Sequence, residues 1–295
     1  MNYTYRISQL EITTSQWMEF LNAFSNVAEP HPYWIGETGG LWGAQLDPNW
    51  HGAGEHYIPR NVANAAMLPV GEISWHMAAL YCNWLNNGKS SDPASLVSGS
   101  YDTTTWGYRL GTIYFTDAFT HESGAKYWIP TLDEWLKASF YDPNKNGVAK
   151  GGWWMYPNSS DTPSVPGFPG AGTTSALVGT GVSLIGWTIP LGAYADTVSP
   201  WGLFDVSGGT REWLEEVPSP GFPTTRWQSG SYAGGPMQGG LGYLDNVYHE
   251  TSGPPESAGL VNGFRIASSV PTPGSWGLCF AAFGVFVANS RRRLT

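Results

Sequence analysis

The 295-residue chain carries 14 Lys and Arg against 23 Asp and Glu, a formal net charge of −9, which excludes a nucleic-acid-binding surface built on clustered positive charge. With 38 Gly, 22 Pro, 16 Trp, 15 Tyr and 12 Phe, it describes a loop-rich molecule with an aromatic core, long enough for one large domain or one domain with an appendage.

In chain order, Tyr3 to Ile12 is rich in β-formers and predicts a strand. Thr13-Thr14 marks a helix start. Trp17, Phe20, Leu21 and Phe24 then repeat at helical spacing over Ser15 to Phe24. Ala28 to Pro69 shows little periodicity and predicts an ordered loop region with short elements. Ser74 is an N-cap for a second helix, Trp75 to Asn86, with an apolar stripe of Trp75, Ala79, Cys82 and Leu85. Cys82 is thereby a packing residue, and His76, off the stripe, is expected at the surface. Asn86-Asn87-Gly88 stops that helix.

Ser90 to Thr116 predicts a loop followed by short strands. Thr131-Leu132-Asp133-Glu134 is a capping box opening a third helix, Leu132 to Phe140. Asn144 to Gly147 is a turn, and Ser159 to Thr180, rich in Ser, Thr, Pro and Gly, is expected as a long surface excursion. The two cysteines, Cys82 and Cys279, sit in such different surroundings that no disulfide is expected between them.

Ser199 to Trp213 (SPWGLFDVSGGTREW) organises the rest. Asp205 lies seven positions before Glu212, with two glycines between that let the backbone fold tightly and turn carbonyls inward. Carboxylates with inward carbonyls are ligands for a hard cation such as Ca²⁺; an acidic turn capping its own N–H groups has the same sequence.

At the C-terminus, Val270-Pro271-Thr272-Pro273-Gly274 precedes an apolar run, Ser275 to Ala288, then Asn289-Ser290 and Arg291-Arg292-Arg293. The run is shorter than the ~20 residues of a comfortable span. It reads as a short membrane segment with a positive stop, or as a buried core helix.

Six segments resemble, in order, the formylglycine-generating enzyme (sulfatase-modifying factor) family. They are RISQLEITTSQWMEFLNA, LPVGEISWHMAALYCNWLN, YWIPTLDEWLKAS, GLFDVSGGTREW, RWQSGSY and NGFRIA, spanning about Tyr5 to Ala267. The resemblance implies an irregular α+β fold related to C-type lectins over residues 3–268. It implies structural Ca²⁺ bound by Asp205, the carbonyls of Gly208 and Thr210, and Glu212, and a cleft lined by Trp213, Ser231, Tyr232 and Arg265. Arg265 is expected to be a buried guanidinium paired with a carboxylate or carbonyls. The family's copper-holding, catalytic cysteine pair falls on Gly234 and Gly239, which have no thiolate, so no copper is expected.

A related enzyme type holds non-haem iron through histidines of an added domain that is absent here. Of the six histidines (His31, His51, His56, His76, His121 and His249), only His51 and His56, beside Glu55, approach a two-histidine, one-carboxylate spacing. Two readings follow. One is a non-catalytic, exported surface or matrix module that binds a peptide or glycan in the retained cleft. The other is an oxidoreductase using a different metal-dependent chemistry. Residues 270–295 resemble the PEP-CTERM sorting signal of Gram-negative bacteria, with Thr272 in place of its usual Glu. That implies export, recognition by an exosortase, and a membrane stage through residues 275–288. Met1 to Thr4 has no signal-peptide character, so an exported protein is expected to start upstream of Met1.

Overall fold

The computed structural model describes residues 3–35, 42–178, 185–234 and 245–270. Three helices and a set of short strands make an α+β architecture. The helices are α1 (Thr14–Ala23), α2 (Trp75–Asn86) and α3 (Leu132–Phe140). Each begins where its capping residue dictates. Thr13 closes a capping box with Gln16 on α1, Ser74 accepts from the Met77 N–H on α2, and Thr131 closes a box with Glu134 on α3.

The strands run from β1 (Tyr5–Ile7), β2 (Ala44–Leu46) and β3 (Tyr57–Pro59) through β4 (Tyr127–Trp128), β5 (Tyr141–Asp142) and β6 (Gly152–Trp153). They continue as β7 (Arg211–Trp213), β8 (Arg226–Ser229), β9 (Thr251–Gly253), β10 (Asn262–Gly263) and β11 (Ala267–Ser269). Among the described residues they form four small sheets: β1-β11-β4, β10-β7-β8-β9, and the hairpins β2-β3 and β5-β6. Pairing is antiparallel except β10 with β7. The strand expected over Tyr3 to Ile12 is only three residues long, because beyond Ile7 the backbone leaves β11: the Ser8 and Ile12 N–H groups bond the carbonyls of Ile266 and Phe264.

The main core lies between α1, α2 and the β10–β11 segment. Trp17 and Phe20 meet at 5.1 Å, Phe20 meets Tyr81 and Trp84 at 5.3 and 5.2 Å, and Phe264 closes on Tyr81 at 5.6 Å. Tilted and edge-on ring pairs of this kind each add about 0.5–1.5 kcal/mol beyond area burial. A second core gathers Trp135, Phe140, Leu203, Val206 and Leu214 under the organising loop.

Helix α2 is buried on all sides from Trp75 to Trp84, because the segment after it folds back over its outer face. Asn83 ties that segment down. Its amide donates to the carbonyls of Leu96 and Tyr101, and its oxygen accepts the N–H groups of Ser100 and Tyr101. His76, expected at the surface, is therefore buried, with Nε2 2.7 Å from Asp117 Oδ2. Residues 159–173 run mostly over the surface, as expected, but the excursion ends before Thr180. The chain returns inward at Thr174 and Ala176, both fully buried, and the Thr174 hydroxyl donates to the Ser207 carbonyl. The C-terminal run from Pro271, with Cys279, lies outside the described residues. Among the described residues no helix is long and apolar enough to cross a membrane.

Candidate functional site

The organising loop turns at Asp205, whose φ of 55° lies in the left-handed region that Asp tolerates. From there three successive N–H groups find side chains from distant elements. The N–H of Gly208 donates to Ser231 Oγ, that of Gly209 to Ser175 Oγ, and that of Thr210 to both oxygens of Glu11. The Thr210 hydroxyl also donates to Glu11 Oε2 at 2.7 Å. Ser207 donates to Asp245 Oδ2, and Asp245 Oδ1 accepts the Ser231 N–H. Glycine is required at position 209: φ is 56°, and a Cβ there would stand 2.3 Å from Glu11 Oε1.

Beneath the loop lies a buried ionic centre. Arg265 donates from Nε and Nη2 to the two oxygens of Glu212 at 2.6 and 2.7 Å, a bidentate pair. Trp135 Nε1 adds a third bond to Glu212 at 2.9 Å, and Arg265 also donates to the carbonyls of Ser8, Gln9 and Phe204. Glu11, Asp205 and Glu212 thus surround one guanidinium, all buried.

Ionised together, the three carboxylates leave two negative charges uncompensated, which a buried site does not sustain without a proton or a cation. Burial, reinforced by the Glu212 charge, pushes the Glu11 carboxyl well above its ordinary value. Burial pushes Asp205 up to about 6, against the Gly192 N–H, which donates to it, and the Arg265 charge.

The donors suit a hard cation, being oxygens only. Beside Asp205 a cavity of about 10 Å³, room for one water or one ion, is lined also by Asn158, Thr173, Tyr194 and Ser207. The Asn158 side-chain oxygen is buried there without a hydrogen-bond partner among the described residues. Both Glu212 oxygens are already engaged by Arg265 and Trp135, which leaves Asp205 as the freer carboxylate. Among the described residues no three His, Cys, Asp or Glu side chains gather closely enough to hold a metal by themselves. Of the four expected ligands only Asp205 lines that cavity; Gly208, Thr210 and Glu212 do not.

The residues expected to line the cleft divide. Trp213 is fully buried, its indole N–H donating to the Ile73 carbonyl at 2.7 Å, because this side of β7 faces the main core; it lines no cleft. Ser231 is also fully buried, spent on the Gly208 N–H, and Arg265 is the centre of the ion cluster. Tyr232 is buried as well, with the Arg211 guanidinium 4.8 Å over its ring. Burial lowers the Arg211 pKa, and its Nε is buried without a partner among the described residues. Gly234 is in the left-handed region, and Gly239 lies outside the described residues.

Glu11, Ser175, Arg211 and Asp245 belong to the site, yet spacing within the loop does not point to them. Glu11 does sit in the RISQLEITTSQW segment, at the turn into α1. Elsewhere, His56 stacks on Trp50 at 4.1 Å while His51 and Glu55 are exposed, so these three form no ligand cluster. Cys82 is buried, and burial pushes its thiol well above its ordinary value, away from nucleophilic thiolate chemistry.

Short sheets, three capped helices and a buried carboxylate–arginine centre under a glycine loop define a formylglycine-generating-enzyme-type, C-type-lectin-like fold. The family model of the sulfatase-modifying factor enzyme 1-like domain matches residues 3–270, and the chain belongs to that family. Among solved structures, CarF is similar at 18% identity and a TM-score of 0.53, covering 90% of this chain and 87% of CarF. Treponema denticola variable protein 1 (15% identity, TM-score 0.48) and PvdO from Pseudomonas aeruginosa (14%, 0.46) each align with 90% of this chain, and with 84% and 80% of their own. These identities bear on the fold alone. No curated protein matches the sequence.

Proposed function

We propose that this protein is a non-catalytic member of the family: an exported surface or matrix module that binds a peptide or glycan and is stabilised by Ca²⁺ at the Asp205–Glu212 loop. One observation carries the reading. By the resemblance, the enzymes' cysteine pair falls on Gly234 and Gly239, and glycine offers neither a thiolate for copper nor a sulfur for a mixed disulfide. Cys82 does not replace them, being sealed in the main core. The buried carboxylate excess around Arg265 supports the Ca²⁺ assignment. Export, sorting by an exosortase and a transient membrane stage rest on residues 270–295.

The test is oxidation of a cysteine-containing peptide. The full chain is incubated with copper, O₂ and a peptide carrying the sulfatase-type cysteine motif, and mass spectrometry follows conversion of thiol to aldehyde. The proposal expects none, in contrast to a cysteine-bearing family enzyme run in parallel. Turnover above the protein-free blank overturns it.

A further inference from the structure

A second concave surface shares no residue with the loop centre. It runs between the end of α1 with its following turn and the long β2–β3 connection, and encloses about 650 Å³, within the range of small-ligand sites. Five aromatic residues contribute to its walls: Phe24, Trp34, Trp50, His56 and Tyr57. Trp50 and His56 stack face to face, 4.1 Å apart at 22°, so His56 backs one face of the indole and the other face is the one a ligand can use.

That face is held before any ligand arrives. The Asn22 side chain accepts the Tyr57 N–H at 2.8 Å and donates to its carbonyl at 2.9 Å. The Asp47 N–H donates to the His56 carbonyl at 2.8 Å, and the Trp50 N–H to the Asp47 carbonyl at 3.1 Å. A rigid wall lowers the ordering cost of binding.

The chemistry of the lining selects the occupant. Neither Lys nor Arg lines the groove among the described residues, and Glu29 is its one carboxylate, so an anionic ligand meets no counter-charge. Asn26 and Glu29 are exposed at the rim, offering an amide donor and carboxylate acceptors. A pyranose ring matches both halves. Its axial C–H bonds, slightly positive, pack on the negative π face, and its equatorial hydroxyls reach the rim.

We propose that this groove binds a neutral oligosaccharide, one sugar ring lying on the indole of Trp50, backed by His56, with its hydroxyls turned to Asn26 and Glu29. This rests on the reading of the protein as a binding module, and it places the ligand away from Tyr232.

The test uses the full chain. Calorimetry and saturation-transfer NMR are run against cello-, chito-, xylo-, manno- and malto-oligosaccharides, with oligogalacturonate as the charged comparator. At least one neutral series binds. Trp50→Ala weakens it tenfold or more, Trp50→Phe retains most of the affinity, and the unfolding midpoints of both variants stay near wild type. Phe222→Ala, a remote exposed ring, changes nothing. Absence of neutral-sugar binding, preference for oligogalacturonate, or affinity unchanged in Trp50→Ala overturns the groove. Binding that survives Trp50→Ala but is lost in Tyr232→Ala leaves the binding-module reading standing and moves the site to the cleft. The cysteine-oxidation assay judges the non-catalytic reading independently of any sugar result.

Discussion

Around α1 and α2, rings meet rings: Trp17, Phe20, Tyr81, Trp84 and Phe264 interlock with hardly a polar atom between them. Under the organising loop the interior is ionic, with Glu11, Asp205 and Glu212 buried around Arg265 and Asp245 buried on the hydroxyl of Ser207 and the N–H of Ser231. The first region is stabilised by removing apolar surface from water. The second stays folded only while each buried charge keeps its partner. They should therefore fail differently, and the first through its volume rather than its charge.

The largest effect is expected at Arg265. Arg265→Met strands Glu212, Glu11 and Asp205 without a counter-charge, a loss of about 3–5 kcal/mol or outright misfolding. Pairing it with Glu212→Gln should recover part of that loss, which chemical denaturation of both variants measures. In the aromatic region, Phe20→Ala opens a cavity and should cost about 3–4 kcal/mol, with no dependence on pH or Ca²⁺. An equal pH response in the Phe20 and Arg265 variants would erase the contrast between the regions.

Next comes titration. Burial raises Asp245 to about 6, against the bonds from Ser207 and Ser231 that lower it. With the folded value above the unfolded one, the folded state holds this proton more tightly. Its contribution is full below about pH 4 and is lost as pH rises through about 6. Unfolding followed from pH 4 to 7 should show this loss, of order 3 kcal/mol at most, and Asp245→Asn should flatten it. Gly209→Ala, which drives a methyl into Glu11 and strains a left-handed residue, should cost about 1–3 kcal/mol. At the far end, the exposed Lys89–Glu19 pair, 2.7 Å apart, should shift stability by less than about 1 kcal/mol in Lys89→Met and vanish in high salt.

The two regions also differ in how far the sequence exposes them. Helices α2 and α3 begin and end at the expected residues, because Ser74 and the Thr131–Glu134 box are local signals. The aromatic stripe of α1 is equally local. His76 departs from expectation because a stripe argument assumes one wet face, while α2 is wrapped by a segment anchored through Asn83. Strands of two to four residues are too short to display a period of two.

At the ionic centre the loop's own acids, Asp205 and Glu212, are visible from spacing. Arg265 is expected as a buried, paired guanidinium, though not as the partner of Glu212, 53 positions away; Glu11, which bonds Thr210 across 199 positions, is not visible from spacing. The family resemblance puts Trp213 in the cleft, whereas its burial follows from the side of β7 it occupies.

The most direct test of the ionic centre is its elemental composition. The full chain is purified without chelator or affinity-metal resin and analysed by plasma mass spectrometry, together with Asp205→Ala. The account predicts calcium near one per chain in the wild type, its loss in Asp205→Ala, and no stoichiometric iron or copper. A wild type without calcium would contradict it and assign the excess charge to protons on Glu11 and Asp205, and stoichiometric iron or copper would contradict the non-catalytic reading itself.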